Sequence, residues 1–298
     1  MIKRLIKIIC NFFGLDIKIK RIKKNVSPEK QNIKIIKVGS FDLYANEGHL
    51  LDYYSKHYPS FNQNFAKISV LISQYAPKST IIDIGANIGD TLALLRSNGI
   101  SNNVICIEGN PYYFELLTRN AEQFKNVSLI HTLLGEQDKE ISSIIDTNKG
   151  TAKLITSEAS DKLQIQALDN IIKEEDIKLI KIDTDGYDLL IIEGAINTIK
   201  KTQPVLFIEY NWDYFSENNS DGIKTLCHLH QLGYEYAFFY DNFGRFLTHT
   251  NLRDKDLLIN LDAYIRKGQG AFHYYDICLI HGNDNLLAET LKKELMDN

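Results

Sequence analysis

Ile81-Ile82-Asp83-Ile84-Gly85-Ala86-Asn87-Ile88-Gly89-Asp90-Thr91 reads as an apolar strand that runs through Gly-x-Asn-x-Gly into a helix. In open α/β sheets ligands bind just beyond the carboxyl ends of the strands, where the strand order switches, so a nucleoside-like molecule is expected at this loop. Gly85 lets backbone and ligand approach closely, and Gly89 permits tight helix packing. Asn87 is the non-glycine residue type best suited to a left-handed turn. The spacing is not the G-x-G-x-x-G that lays a pyrophosphate on a helix N-terminus.

Working outward, apolar runs at 80–84, 104–107, 127–131, 177–182 and 204–208 alternate with segments of helical period at 90–98, 112–124, 188–200 and 220–232. That alternation implies a parallel sheet covered on both faces. Two more strand-like runs, 234–240 and 272–280, flank a long polar excursion that contains Gly244, Arg245 and His249. Upstream, residues 33–45 fit a hairpin that turns near Gly39 and Ser40, and residues 50–76 are helical and aromatic, ending at Pro77. Tyr53, Tyr54, Tyr58 and Phe61 cluster there, and core packing is a better account of them than a stacking lid.

The second strand, 104–107, leads into Glu108-Gly109-Asn110-Pro111. An acid at that strand end, about 20 residues beyond the glycines, can accept both hydroxyls of a ribose. Asn110 suits a helix cap, with Pro111 at the first helical position. Asp83 would repel phosphates beside it but can receive a cationic amino-acid moiety, which favours S-adenosylmethionine over NAD. The residues expected around that cofactor are Asp83, Gly85, Ala86, Asn87, Gly89, Thr91, Glu108, Gly109, Asn110 and Asp183.

Parallel strands share one carboxyl edge, so the acids after the later strands belong to the same rim. Lys178–Ile182 is followed by Asp183-Thr184-Asp185-Gly186-Tyr187-Asp188, and the strand ending at Ile208 by Glu209-Tyr210-Asn211. A rim carboxylate can take a proton from an attacking hydroxyl. Asp183 suits either ligand contact or catalysis, Asp185 and Glu209 suit the site, and Asp188 suits a helix cap. His249, in the excursion between the last strands, is a further candidate for the base, because loops at the rim carry specificity. His230 shares a helical face with Ile223, Leu226 and Cys227 and reads as a structural histidine. Several acids on one rim could hold a divalent metal, but no spaced ligand set singles one out, so none is assigned.

The chain has 298 residues, 44% hydrophobic and 24% charged, which excludes wholesale disorder. No apolar run reaches the roughly 18 residues that span a bilayer. Cys10, Cys106, Cys227 and Cys278 form no C-x-x-C pair, which argues against a disulfide framework and for a reducing compartment. The whole chain carries −4, residues 1–24 carry +7, and the remainder therefore carries −11. In that first segment Ile2, Leu5, Ile6, Ile9, Phe12 and Phe13 recur at helical spacing, with Lys3, Arg4 and Lys7 off the stripe. Three readings remain open there: peripheral contact with an anionic membrane surface through residues 2–24, a helix packed on the body or a second subunit, or disorder. A secretory signal does not fit, because lysines interrupt the apolar stretch. No basic stripe for nucleic acid appears elsewhere.

Taken together, residues 82–89, Glu108 to Pro111, Ala167-Leu168-Asp169-Asn170-Ile171, Ile180 to Gly186, Glu193-Gly194-Ala195 and Pro204 to Glu209 resemble the FkbM family of S-adenosylmethionine-dependent methyltransferases. The resemblance covers roughly residues 78–212. It implies an α/β, Rossmann-like class I methyltransferase fold, with a mostly parallel seven-stranded sheet, an antiparallel last strand and helices on both faces. It also implies methyl transfer to an oxygen acceptor, often in secondary metabolism or on cell-surface polysaccharides. The family commonly has Glu-Pro-Asn-Pro where this chain has Gly109, and Val-Glu-Gly-Ala-Glu where it has Thr184 to Asp188. The resulting division is a basic arm over 1–24, a hairpin and aromatic helical cap over 25–76, a methyltransferase domain over 77–285 and a helical tail over 286–298. The expected activity is cytoplasmic O-methylation, at the inner membrane face, of a sugar hydroxyl in a glycan or its precursor. The alternatives are a non-catalytic, membrane-associated nucleoside-binding protein or an NAD-dependent enzyme.

Overall fold

Two-residue alternation in the sequence becomes a sheet with two buried faces, and the face on which each residue lands decides what the rim can do. The structure, a computed structural model, describes residues 32–296 apart from 149–150, 157–161, 219, 269 and 271. The basic arm over 1–24 lies outside the described residues.

The chain opens with a hairpin, β1 (Ile33–Val38) and β2 (Phe41–Asn46), closed at Gly39 with φ +57°. The expected helical stretch over 50–76 is two helices, Leu51–His57 and Gln63–Tyr75. The break falls at Tyr58 and Pro59: proline lacks the N–H that would continue the helix and pushes the residue before it out of helical geometry.

The main sheet is built from β3 (Thr80–Ile84), β4 (Asn103–Glu108) and β5 (Val127–His131). A smaller sheet follows: β6 (Leu133–Leu134), β7 (Lys139–Asn148), β8 (Thr151–Thr156) and β9 (Lys162–Gln166). The main sheet then resumes with β10 (Ile177–Ile182), β11 (Val205–Tyr210), β12 (Tyr234–Asp241), β13 (Phe246–Asn251) and β14 (Tyr275–His281). Its spatial order is β13-β12-β14-β11-β10-β3-β4-β5. Strands β3, β4, β5, β10 and β11 run parallel, and β14 inserts antiparallel between β11 and β12. This matches the expected mostly parallel sheet with an antiparallel last strand. The sheet has eight strands rather than seven, because residues 246–251 of the expected polar excursion pair onto β12 as an edge strand.

Neighbouring residues go to opposite faces. Ile81, Leu179, Phe207, Phe238 and Cys278 pack beneath the helix Gln63–Tyr75, while Ile82, Ile180, Leu206 and Ile208 pack against the helices carrying Leu189, Ile192, Leu226 and Leu229. The helical run expected over 188–200 divides into Asp188–Glu193 and Ile196–Thr202. Gly194 sits between them because a Cβ there would strike the carbonyl of Gly135. The excursion also contains the helix Lys255–Arg266, and the chain closes with Asn285–Met296, which buries Leu287, Ala288 and Leu291. The residues from Ile33 onward form one compact unit. Among the described residues no helix is long and apolar enough to cross a membrane.

Candidate active site

The glycine loop closes over the carboxyl ends of β3, β4 and β10. Gly85 has φ +80°, and a Cβ on it would strike the carbonyl oxygen of Asp183 at the end of β10. The backbone N–H groups of Gly85 and Ala86 both donate to the Ile107 carbonyl, at 2.9 and 3.0 Å. Asn87 takes φ +49° and Gly89 φ +87°, the left-handed geometry their sequence positions call for. Glu108 then ties loop to strand. Its Oε2 accepts from the Asn87 N–H at 2.8 Å and its Oε1 from the Asn110 N–H at 2.7 Å. Asn110 caps the helix Pro111–Ala121, its Oδ1 accepting from the N–H groups of Tyr112 and Tyr113. Burial pushes the Glu108 carboxyl up to about 7 despite the backbone donors of Asn110, Asn87 and Gly109.

A pocket open to solvent lies here. Gly85, Asn87, Glu108, Gly109, Asn110, Asp183 and Asp185 line it, and Leu133, Leu134 and Ile145 from the smaller sheet wall it on the far side. Sequence reasoning did not anticipate that wall. Ala86, Gly89 and Thr91 shape the loop and do not line the cavity; Ala86 and Thr91 are buried.

Asp83 has a different partner from the one its position suggested. It is fully buried, faces Lys181 across the β3/β10 ladder, and lies 3.5 Å from the Lys181 Nζ. Lys181, buried in a central strand, also pairs with Asp183 Oδ2 at 3.0 Å. Burial works against its ammonium, but Asp183 and Asp83 outweigh that and hold it charged. Burial in turn raises Asp83 to about 6, with Lys181 opposing. Lys181 thus sits between the carboxylate beneath the loop and the one at the rim. The sequence signal for it is a lysine inside the apolar run 177–182.

Downstream, Asp185 holds φ +52° and Gly186 φ +125°. Asp188 braces that turn by accepting from the N–H groups of Thr184 (3.0 Å) and Gly186 (3.1 Å); it does not cap the helix it begins, whose N-cap is Tyr187, because its carboxyl turns back to the loop. Tyr214 donates its hydroxyl to Asp185 at 3.4 Å. Glu209, at the end of β11, stands directly opposite Asp276 of β14, and Asp276 accepts from Asn64 Nδ2 at 3.1 Å. Burial, aggravated by Asp183, Asp188, Asp185 and Asp276, holds the Glu209 carboxyl well above the ordinary range. Burial beside Asp183 raises Asp276 to about 7. Sequence reasoning missed Asp276 and Asn64; an acid within the apolar run 272–280 was the available signal.

His249 is not brought to the rim. It lies in edge strand β13 opposite Phe238, whose ladder partner is Cys278 in mid-sheet, and its ring stacks on Phe238 at 5.9 Å. The excursion was expected to be a loop at the rim, but β-pairing carries this residue down the sheet edge. His230 precedes β12, its Nδ1 3.2 Å from the carbonyl oxygen of Tyr234 at the start of that strand. Among the described residues no group of three or more His, Cys, Asp or Glu is arranged to hold a metal ion.

Residues 83–236 match the profile of the methyltransferase FkbM domain, slightly more than half of the chain. No curated protein matches the chain. Among solved structures, it is similar to the methyltransferase FkbM from Methylobacillus flagellatus, at 20% identity over 45% of this chain and 33% of that one, with a TM-score of 0.36. The match therefore spans about a third of that relative's length. It is also similar to a putative transferase from Pyrococcus horikoshii (12% identity, 94% and 83% coverage, TM-score 0.42). A third similar structure is a TehB-like S-adenosylmethionine-dependent methyltransferase from Corynebacterium glutamicum (13% identity, 76% and 97% coverage, TM-score 0.39).

Proposed function

The chain belongs to the FkbM methyltransferase family, and from that premise we propose that it methylates a hydroxyl group, using S-adenosylmethionine as donor. The observation that carries the cofactor reading is Glu108 in its cradle. Its two oxygens are held by backbone N–H groups, Asn87 on Oε2 and Asn110 on Oε1, in the geometry that presents a carboxyl to the hydroxyl donors of a ribose. The missing Cβ of Gly85 keeps the loop tight against Asp183, so the cavity floor is backbone rather than side chain. Asp183 and Asp185 line the same cavity, a negative edge that suits a ligand bearing a sulfonium and an ammonium and opposes a pyrophosphate. Gly85, Asn87, Glu108, Gly109, Asn110 and Asp183 are the residues that would hold it. Asp83, Ala86, Gly89 and Thr91 would shape the loop from behind.

When bound, S-adenosylmethionine supplies an electrophilic methyl group whose sulfur leaves as a neutral thioether. The chain's own contribution is to align the acceptor and to give its proton a destination, positioning alone being worth on the order of several kcal/mol. Asp183 and Asp185 are the rim carboxylates available for that proton, whereas burial holds Glu209 toward its neutral form. The acceptor we favour is a sugar of a glycan or its precursor, and the basic, Ile- and Phe-bearing segment 2–24 supports a cytoplasmic protein working at the inner membrane face.

Titration calorimetry with S-adenosylhomocysteine and with NAD tests this. Micromolar binding of the former, lost in Glu108→Ala, is expected. NAD binding with no response to S-adenosylhomocysteine would overturn the reading.

A further inference from the structure

A buried histidine from the cap touches the cofactor loop, and the methyl-transfer chemistry makes no use of it. His49 follows the turn that ends β2, where its N–H donates to the Asn46 carbonyl at 3.0 Å. The Lys34 ammonium donates to the His49 carbonyl at 2.7 Å and pairs with Asp52 at 2.9 Å, so β1 ties this connection to the helix Leu51–His57. His49 is 7% exposed, its ring centroid 6.3 Å from that of Tyr113.

The two ring nitrogens have different partners, which decides where the proton sits. The Leu51 N–H can only donate, so Nδ1, 3.2 Å away, accepts from it. In the neutral ring Nε2 therefore holds the hydrogen, and it donates to Asn87 Oδ1 at 3.2 Å. Burial lowers the pKa of His49, with the Asn87 bond and Asp52 opposing and Lys34 adding to the fall, so the ring is neutral near pH 7. Asn87 turns at φ +49°, lines the cofactor pocket and gives its own N–H to Glu108 Oε2 at 2.8 Å. A chain of bonds thus runs from the cap through His49 and Asn87 to the carboxyl meant for the ribose. Asparagine tolerates a left-handed turn without requiring it, and such positions persist where surrounding contacts hold them.

We propose that His49 is a positioning residue for the cofactor: its Nε2–H clamps the Asn87 side chain, fixes the turn there and so sets the Glu108 carboxyl. The assignment rests on the methyltransferase reading and deepens it. It also makes the cap a working part of the donor site.

The test is titration calorimetry of S-adenosylhomocysteine on the full chain and on variants that separate the two ring nitrogens. In His49→Gln the amide nitrogen can stand where Nε2 stood and donate to Asn87. In His49→Asn the side-chain oxygen can stand where Nδ1 stood and accept from Leu51, and His49→Leu does neither. The expected affinity is within about threefold of the parent for His49→Gln and about tenfold weaker for His49→Asn and His49→Leu, the worth of one hydrogen bond. In an Asn87→Gly background, which still permits the turn and removes the acceptor, His49→Leu should cost nothing further. Nitrogen-15 NMR of the parent imidazoles, with His49 assigned by its absence from the His49→Gln spectrum, should show a neutral ring carrying its hydrogen on Nε2.

Affinity rescued by His49→Asn and not by His49→Gln would overturn the assignment and leave His49 as a brace for the entry to the helix. Equal affinity across the set, a full cost in the Asn87→Gly background, or an Nδ1–H ring in the parent would overturn it too, the last with no variant required to fold. A parent that fails to bind S-adenosylhomocysteine would instead refute the underlying methyltransferase reading.

Discussion

The two halves of the rim are built by different means. On the β3/β4 side the backbone does the work: Gly85 and Asn87 turn at positive φ, the loop N–H groups bond to Ile107, and both oxygens of Glu108 are pinned by main-chain donors. On the β11/β14 side the rim is made of side chains that face one another, Glu209 across from Asp276, with polar atoms left unpaired. A backbone-built site is rigid and generic, fit for a ligand that never changes. A side-chain row can be altered one residue at a time, which is what a variable acceptor demands. Lys181 stands where the halves meet, its ammonium paired with Asp83 beneath the loop and with Asp183 at the rim.

Breaking that junction should give the largest effect. Lys181→Met leaves Asp83 buried beside no cation, and losing one partner of a buried ion pair costs about 3–5 kcal/mol. Urea denaturation should show that loss, and the double variant Asp83→Asn/Lys181→Met should recover most of it. If the double variant is no more stable than the single one, the two residues are not energetically coupled and the junction has another basis.

The next largest effect tests the backbone half alone. Gly85→Val would force a β-branched residue to φ +80° and drive its Cβ onto the Asp183 carbonyl. Such strain costs about 1–3 kcal/mol before the clash is counted, so affinity for S-adenosylhomocysteine should fall at least about a hundredfold by calorimetry.

The same division explains what could be read in the chain. The glycine loop, Glu108 at the next strand end and the five parallel strands follow from local patterns: left-handed turn residues, buried apolar runs, and helices of the right length between them; the antiparallel last strand was implied only by the family resemblance. Asp276 and Asn64 are 212 residues apart in sequence, and nothing local tells either that it will meet the other. Lys181 was visible as part of a strand, but its pairing with Asp83 exists only once β10 is known to lie beside β3. The smaller sheet was not read at all, although Leu133, Leu134 and Ile145 wall the cavity. The arm over 1–24 is outside the described residues, so its reading as a membrane anchor rests on the sequence alone.

A smaller effect should separate the halves by pH. Asp276 is raised from the ordinary aspartate value to about 7 by burial and by Asp183, with Asn64 and Lys181 opposing and Asp241 adding to the rise. A carboxyl whose folded pKa lies above its unfolded one stabilises the fold fully below the unfolded value, and that contribution disappears as pH rises through the folded value. Asp276→Asn keeps the shape and removes the ionisation. The variant should therefore gain stability relative to the parent between pH 5 and 8, by on the order of 1–4 kcal/mol. Urea midpoints at the two ends of that window decide it. A constant difference would mean that Asp276 does not titrate there.

The smallest effect belongs to His249. Were the long excursion a rim loop, this imidazole could serve as base, and its removal would abolish transfer. Its place in edge strand β13, stacked on Phe238, gives it a packing role at the side of the sheet. Burial lowers its pKa, so at neutral pH it is an uncharged ring, and no titration of it should shape a pH–rate profile near neutrality. His249→Ala should therefore cost only the lost stacking, about 0.5–1.5 kcal/mol, with S-adenosylhomocysteine affinity unchanged. Loss of methyl transfer with that affinity intact would show that the edge strand reaches the chemistry, and would break the division between the two halves of the rim.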